Sequence, residues 1–136
     1  MIEIYSKNNK KLLHLVYSAD EFAEGMTELV APDNIIQCMF LKLPKGKIFK
    51  AHQHLWKPVT NKQTIAQESW VVLRGSARGY FYDIDGERIT DILLNEGDIT
   101  FTLEGGHHFE ILEDDTMIYE FKTGPYEGVE KDKVFL

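Results

Sequence analysis

Apolar and polar positions alternate along this chain in short runs cut by turn residues, the pattern of strands rather than helices. Ile35 to Leu43 predicts a strand, stopped by Pro44 and Gly46, and Lys47 to His54 predicts another. Residues 55–67 are polar, contain Lys57-Pro58, and predict a loop. Ser69 to Arg74 predicts a strand ending at Gly75. Arg78–Ile84 and Glu87–Leu94 flank Asp85-Gly86, a pair preferred in two-residue hairpin turns because both central positions need positive φ. Asn95-Glu96-Gly97-Asp98 predicts a second turn. Ile99, Phe101 and Leu103 then alternate with Thr100 and Thr102, as in a half-buried strand. His107–Leu112 and Thr116–Lys122 are separated by a third turn, Glu113-Asp114-Asp115. Helical signals are few. Ser18-Ala19-Asp20-Glu21 has the form of a capping box and predicts a short N-terminal helix from Ala19 to Met26, closed off by Pro32. The expected fold class is all-β, a sandwich or barrel with no internal repeat.

Length and composition narrow this further. The 136 residues suffice for one domain, 1–136, and not for two. Hydrophobic residues at 43% and charged residues at 27% exclude disordered and low-complexity readings. No apolar run approaches the roughly 20 residues of a membrane helix. The start, Met1-Ile2-Glu3-Ile4-Tyr5, lacks the basic and apolar regions of a secretory signal. The balance of 15 Lys and Arg against 22 Asp and Glu gives −7, which opposes nucleic-acid binding. Lys42, Lys45, Lys47 and Lys50 therefore read as a solvated edge rather than an anion-binding patch. The single cysteine, Cys38, lies in the apolar run Ile35–Leu41 and reads as a buried small hydrophobe. With no internal disulfide open to it, a reducing, cytoplasmic compartment is expected.

The histidines carry the candidate chemistry. Four of five fall in two places, His52-Gln53-His54 and His107-His108, while His14 sits in the apolar stretch Leu12–Val16 and reads as a satisfied or edge histidine. On a strand, His52 and His54 project from one face, so their imidazoles converge as a metal requires. Two histidines on an exposed strand face would look the same. Glu68 opens an apolar strand, where an unpaired carboxylate is costly to bury. A metal would remove that cost, and so would an arginine such as Arg74 or Arg78. Two imidazoles and a carboxylate form a facial set suited to ferrous iron, zinc or manganese. A fourth ligand comes from His107 or His108, which face opposite ways on a strand. His107 shares its face with Phe109 and Ile111, as an interior position should. A bulge after Gly105-Gly106 would invert that parity and favour His108.

These residues resemble the cupin superfamily. Gly46, five residues, His52-Gln53-His54, then Glu68, six residues and Gly75 match its first motif. The exception is the gap of 13 residues between His54 and Glu68, which is longer than the family's. Gly97-Asp98 and a later histidine match the second motif, although Leu103 stands where that motif has proline. The spacing of the second motif points to His108, against the parity argument. The stretch Gly105-Gly106-His107 and the tail Tyr119–Tyr126 with Asp132-Lys133 look like a group of small cupins that accompany surface-polysaccharide or nucleotide-sugar genes.

The resemblance implies a single antiparallel, jelly-roll-like cupin β-barrel over residues 35–122. It leaves an N-terminal extension 1–34 that carries the short helix, and a tail 123–136. It implies one divalent metal (iron, zinc, manganese or nickel) held by His52, His54, Glu68 and His107, with His108 as the alternative to His107. The partners it implies are a small-molecule ligand or substrate, oxygen-rich and sugar-derived, and a second copy in a homodimer. A metal-dependent enzyme, an isomerase, epimerase or dioxygenase, would need groups beside the metal, and Tyr80, Tyr82 and Arg78 are the weak candidates. A non-catalytic binding or regulatory cupin is the alternative. The insert 55–67, flanked by Trp56 and Trp70, reads as a lid over the mouth or as a dimerisation arm.

Overall fold

A computed structural model describes residues 1–53, 65–124 and 128–136. The fold is all-β and antiparallel throughout. Strands β1 (Ile2–Tyr5), β2 (Leu12–Tyr17), β8 (Ile99–Thr102), β5 (Glu68–Arg74) and β10 (Met117–Lys122) form a five-stranded sheet in the order β1-β2-β8-β5-β10. Strands β6 (Ala77–Tyr82), β7 (Arg88–Leu94) and β9 (Gly106–Ile111) form a three-stranded sheet in the order β7-β6-β9. A small hairpin pairs β3 (Gly25–Glu28) with β4 (Met39–Lys42), and one helical turn, α1 (Val129–Asp132), lies near the end. The two larger sheets pack face to face. Ile4, Val16 and Val72 of one meet Phe81 and Leu94 of the other, with Phe109 and Ile118 alongside. Among the described residues the strands form three separate sheets, without a closed barrel.

A second apolar cluster lies on the far side of the five-stranded sheet. Leu15, Tyr17 and Phe101 pack there against Leu29, Val30 and Ile36, with Phe22, Cys38 and Phe40 beside them. The sheet is therefore covered on both faces around β2 and β8. This corrects the half-buried reading of β8: Thr100 and Thr102 are 2% and 5% exposed, as buried as Phe101 between them. A threonine hydroxyl can be hydrogen-bonded inside, so Thr–apolar alternation does not by itself mark a solvent face. Cys38 is half-buried in this cluster, and burial pushes its thiol pKa up.

The predicted helix at Ala19–Met26 is absent. Ala19–Glu21 is a single 3-10 turn, Ser18 makes no capping bond, and the chain is already in β3 by Gly25. The Glu21 carboxylate bonds the amino group of Met1 instead of closing the box. The Phe22 ring stacks on Phe40 at 4.3 Å, a burial that an isolated eight-residue helix could not offset. Residues 1–17, read from sequence as part of an extension, supply β1 and β2 of the main sheet. The strand expected over Ile35–Leu43 contracts to Met39–Lys42, because the backbone N–H groups of Ile35 and Ile36 donate to the Gln67 side-chain oxygen at 3.1 and 2.9 Å. Residues 47–53 carry no strand.

The β6–β7 hairpin forms where Asp85-Gly86 predicts it, but with another turn. Gly86 N–H donates to the Asp83 carbonyl at 3.1 Å and Asp83 N–H to the Glu87 carbonyl at 2.9 Å. Gly86 has φ +86°, while the only described non-glycine residues with positive φ are Lys10 and Asp115. Asp85 is thus in ordinary backbone, and the turn is a type I turn closed by a glycine bulge. Asp83 is buried and fully used. It accepts from the Ser6 hydroxyl at 2.7 Å, Lys7 N–H at 2.7 Å and Ile84 N–H at 2.8 Å, tying the β1–β2 turn to the β6–β7 turn.

His14 is fully buried on the inner face of β2. Its Nε2 lies 3.1 Å from the Tyr82 carbonyl, which can only accept, so Nε2 carries the proton and Nδ1 accepts from the Thr102 hydroxyl at 3.1 Å. Both nitrogens are engaged and His14 is a satisfied core histidine. Desolvation lowers its pKa from 6.5 to about 4, against the raising effect of the Tyr82 carbonyl. The unfolded chain therefore binds a proton at His14 between pH 6.5 and 4 that the folded chain refuses. The stabilisation is complete above pH 6.5 and is lost as pH falls through this window, on the order of 3 kcal/mol in all. Chemical denaturation of wild type and His14→Gln at a series of pH values should show a slope over pH 6.5–4 in wild type that is flattened in the variant. Gly105 supports the same corner, with φ +81° and a would-be Cβ 2.5 Å from the Tyr82 carbonyl oxygen. Gly105→Ala should cost roughly 2–3 kcal/mol of unfolding free energy, measured by urea denaturation.

Candidate functional site

The register of the sheets brings together a polar row at one end of the sandwich. Across the five-stranded sheet, His14 pairs with Thr102, Thr102 with Glu68, and Glu68 with Lys122. All four residues open or close their strands or lie near their ends, so the row borders the end of the core. The facing sheet contributes His107, paired with the buried Phe81 on β6. Strand parity puts His107 and Phe109 inward and exposes His108 and Glu110. No bulge intervenes after Gly105-Gly106, so it is His107 that reaches Glu68.

The contact is direct. His107 Nε2 lies 2.9 Å from Glu68 Oε1 and bridges the two sheets. The indole Nε1–H of Trp70 donates to the same oxygen at 3.1 Å and to Glu120 Oε2 at 3.1 Å. Trp70 is held flat against Phe109, with ring centroids 3.9 Å apart and planes at 14°. Glu68 is 9% exposed. Burial pushes its carboxyl pKa up, but the hydrogen bonds and charge of His107, the Trp70 N–H and the charge of Lys133 together hold it below the ordinary value. The carboxylate is thus ionised in a largely dehydrated place because donors surround it. Among the described residues, the other imidazole nitrogen, His107 Nδ1, is buried without a hydrogen-bond partner. Such buried, unpaired polar atoms are uncommon in folded proteins, and Ser69 Oγ is the other one among the described residues.

The remaining sequence candidates fall elsewhere. His52 is exposed, with Nδ1 2.9 Å from the Lys50 carbonyl oxygen. His54 and Trp56 lie outside the described residues. Among the described residues, no group of three or more His, Cys, Asp or Glu side chains gathers as a cation requires. Tyr80, Tyr82 and Arg78 alternate with the buried Ala77, Gly79 and Phe81, so they occupy the outer face of β6, away from Glu68 and His107. There Tyr80 stacks on His108 at 4.4 Å and donates to Glu110 at 2.7 Å. The Tyr82 hydroxyl lies 3.0 Å from His108 Nδ1, and Arg78 pairs with Asp91 at 2.8 Å. The outer face is a self-satisfied surface network, and strand parity explains why none of its members reaches the interior.

Sequence reasoning missed Trp70, Lys122 and Asp132 as neighbours of the pair. Trp70 was legible by parity, being two residues from Glu68 on the same strand. Lys122 and Asp132, whose side chains pair at 3.0 Å, depend on the fold of the tail and carry no local signal. Comparison of the chain with family models, with curated proteins and with solved structures found no match.

Proposed function

We propose that this protein is a metal-binding cupin in which Glu68 and His107 are two ligands of one divalent cation, completed by imidazoles of the His52-Gln53-His54 segment. The observation that carries the reading is the inter-sheet Glu68–His107 contact, where a cation seated between Oε1 and Nε2 would take the place of the hydrogen bond. A hard carboxylate oxygen and a borderline imidazole nitrogen, both dehydrated, fit iron, zinc, manganese or nickel. The topology supports the completion. Strand β9, which carries His107, is an edge strand among the described residues. A strand laid along that edge by residues 47–53 would bring His52 to His107, and His54 follows it by two positions in the sequence. That strand would displace the Nδ1 contact of His52 with the Lys50 carbonyl at 2.9 Å.

A bound divalent cation would polarise a carbonyl or lower the pKa of a water at this place. The chain's own residues do the rest. Trp70 orients the Glu68 carboxylate through its N–H, and its stack on Phe109 excludes water from one flank. The reading of a metal-dependent enzyme on a small, oxygen-rich, sugar-derived substrate is supported by the sequence resemblance. A second reading, a non-catalytic small-ligand-binding or regulatory cupin with a structural metal, is favoured by one geometrical fact. The three side chains proposed as acid–base or anchoring groups lie on the outer face. Elemental analysis of freshly purified protein should find about one divalent metal per chain. Glu68→Ala, His107→Ala and His52→Ala should each lose it, while His108→Ala should retain it. Full retention in His107→Ala would sink the assignment.

A further inference from the structure

The last residues do not leave the body of the protein at β10. They turn back across the end of the sandwich that holds Glu68 and His107. Lys122, the final residue of β10, pairs in register with Glu68. Its ammonium donates to Asp132 Oδ2 of α1 at 3.0 Å, and the two side chains are only 21% and 10% exposed. That ion pair fixes α1 to the five-stranded sheet at the level of Glu68. At the other end of the segment, Leu136 lies against Gly106 of the opposite sheet and Gly86 of the β6–β7 turn. A Cβ on Gly106 would come 2.6 Å from Leu136 Cδ1, and one on Gly86 would come 3.3 Å from Cδ2. Gly106 immediately precedes His107, and both lack of a side chain there and the turn at Gly86 leave room for the leucine. The segment therefore runs from one sheet to the other past the Glu68–His107 contact.

Between these anchors the hold is slight. Val134 and Phe135 between them are both 86% exposed, and the Leu136 anchor itself is 73% exposed. Two fixed points joined by a loosely packed stretch describe an element that can open without unfolding the sheets. We propose that residues 128–136 form a strap across this end of the sandwich, latched by Lys122–Asp132, whose release admits small molecules to Glu68 and His107. The electrostatics agree, since Lys133 within the strap is close enough for its charge to help keep Glu68 ionised. The inference goes beyond the metal reading, because access to the pair is gated whether or not a cation binds there.

The test is carbethoxylation of chelator-treated, full-length protein with diethyl pyrocarbonate. Tandem mass spectrometry reads the labelling rate at His107 against exposed His108 as internal standard. Asp132→Asn removes the latch, and Leu136→Ala removes the opposite anchor at a side chain too exposed to matter for folding. Both should raise the His107:His108 ratio, by roughly tenfold in Asp132→Asn. The charge-exchanged double variant Lys122→Asp with Asp132→Lys should return the ratio toward wild type. Thermal melts identify any variant that has lost its fold, and Leu136→Ala then stands as the deciding variant. An unchanged ratio in folded Asp132→Asn overturns the strap. So does a raised ratio that the exchanged pair fails to restore, since that would be a general loosening of β10. Metal stoichiometry plays no part in this readout, so loss of the metal reading leaves the result intact.

Discussion

The hydrogen bond between Glu68 and His107 is the constraint around which this sandwich is arranged. A carboxylate at the start of a central strand has only two ways to avoid a large desolvation cost: leave the interior or find donors inside it. Here the facing sheet supplies the imidazole and the next inward residue of the same strand supplies an indole N–H. The result divides the interior. One end is a polar row of His14, Thr102, Glu68 and Lys122, and the rest is the apolar packing of Val16, Val72, Phe81 and Leu94. Trp70 stands at the border, polar at its nitrogen and apolar where it lies on Phe109. The amphipathic indole is suited to this position.

The second determinant is that the five-stranded sheet is a middle layer where β2 and β8 cross it. One face meets the three-stranded sheet and the other meets the segment around Leu29 to Phe40. Residues near the N-terminus thus hold the site from behind. Thr102 lies directly beside Glu68 in the row and His14 beside Thr102, and their backing cluster includes Leu15 and Phe101 from the same two strands. Rigid support of this kind is what a binding constellation needs, because small displacements of a liganding side chain weaken it disproportionately.

Much of this was legible in the sequence where the signal is local or has a period of two. The inward turn of His107 follows from alternation with Phe109, and the buried carboxylate follows from its place ahead of Ser69-Trp70-Val71-Val72. The hairpin at Asp85-Gly86 was legible, although the bulge that closes it was not, because several turn types accept the same pair. What failed did so for nonlocal reasons. The helix after Ser18 lost to the stacking of Phe22 on a strand that lies far along the chain. The threonines of β8 looked solvent-facing because nothing in their own neighbourhood announces a third layer. Tyr80, Tyr82 and Arg78 share a face by parity, but which face of a strand is inward depends on the sheet opposite. The alternation was readable and its sign was not.

The buried pair also argues for a site on energetic grounds. A hydrogen-bonded charge in an interior is weak evidence for stability, since apolar residues of similar volume often serve a core as well or better. Stability alone would favour apolar residues at positions 68 and 107, contiguous with Val72 and Phe81. This chain instead places there a carboxylate below its ordinary pKa and an imidazole whose Nδ1 faces no partner among the described residues. The orphaned nitrogen carries a folding cost, and the two groups meet at 2.9 Å between opposed sheets at the end crossed by the tail. A buried nitrogen without a partner among the described residues, beside an ionised carboxylate, supports the proposed ligand site over a role in packing alone.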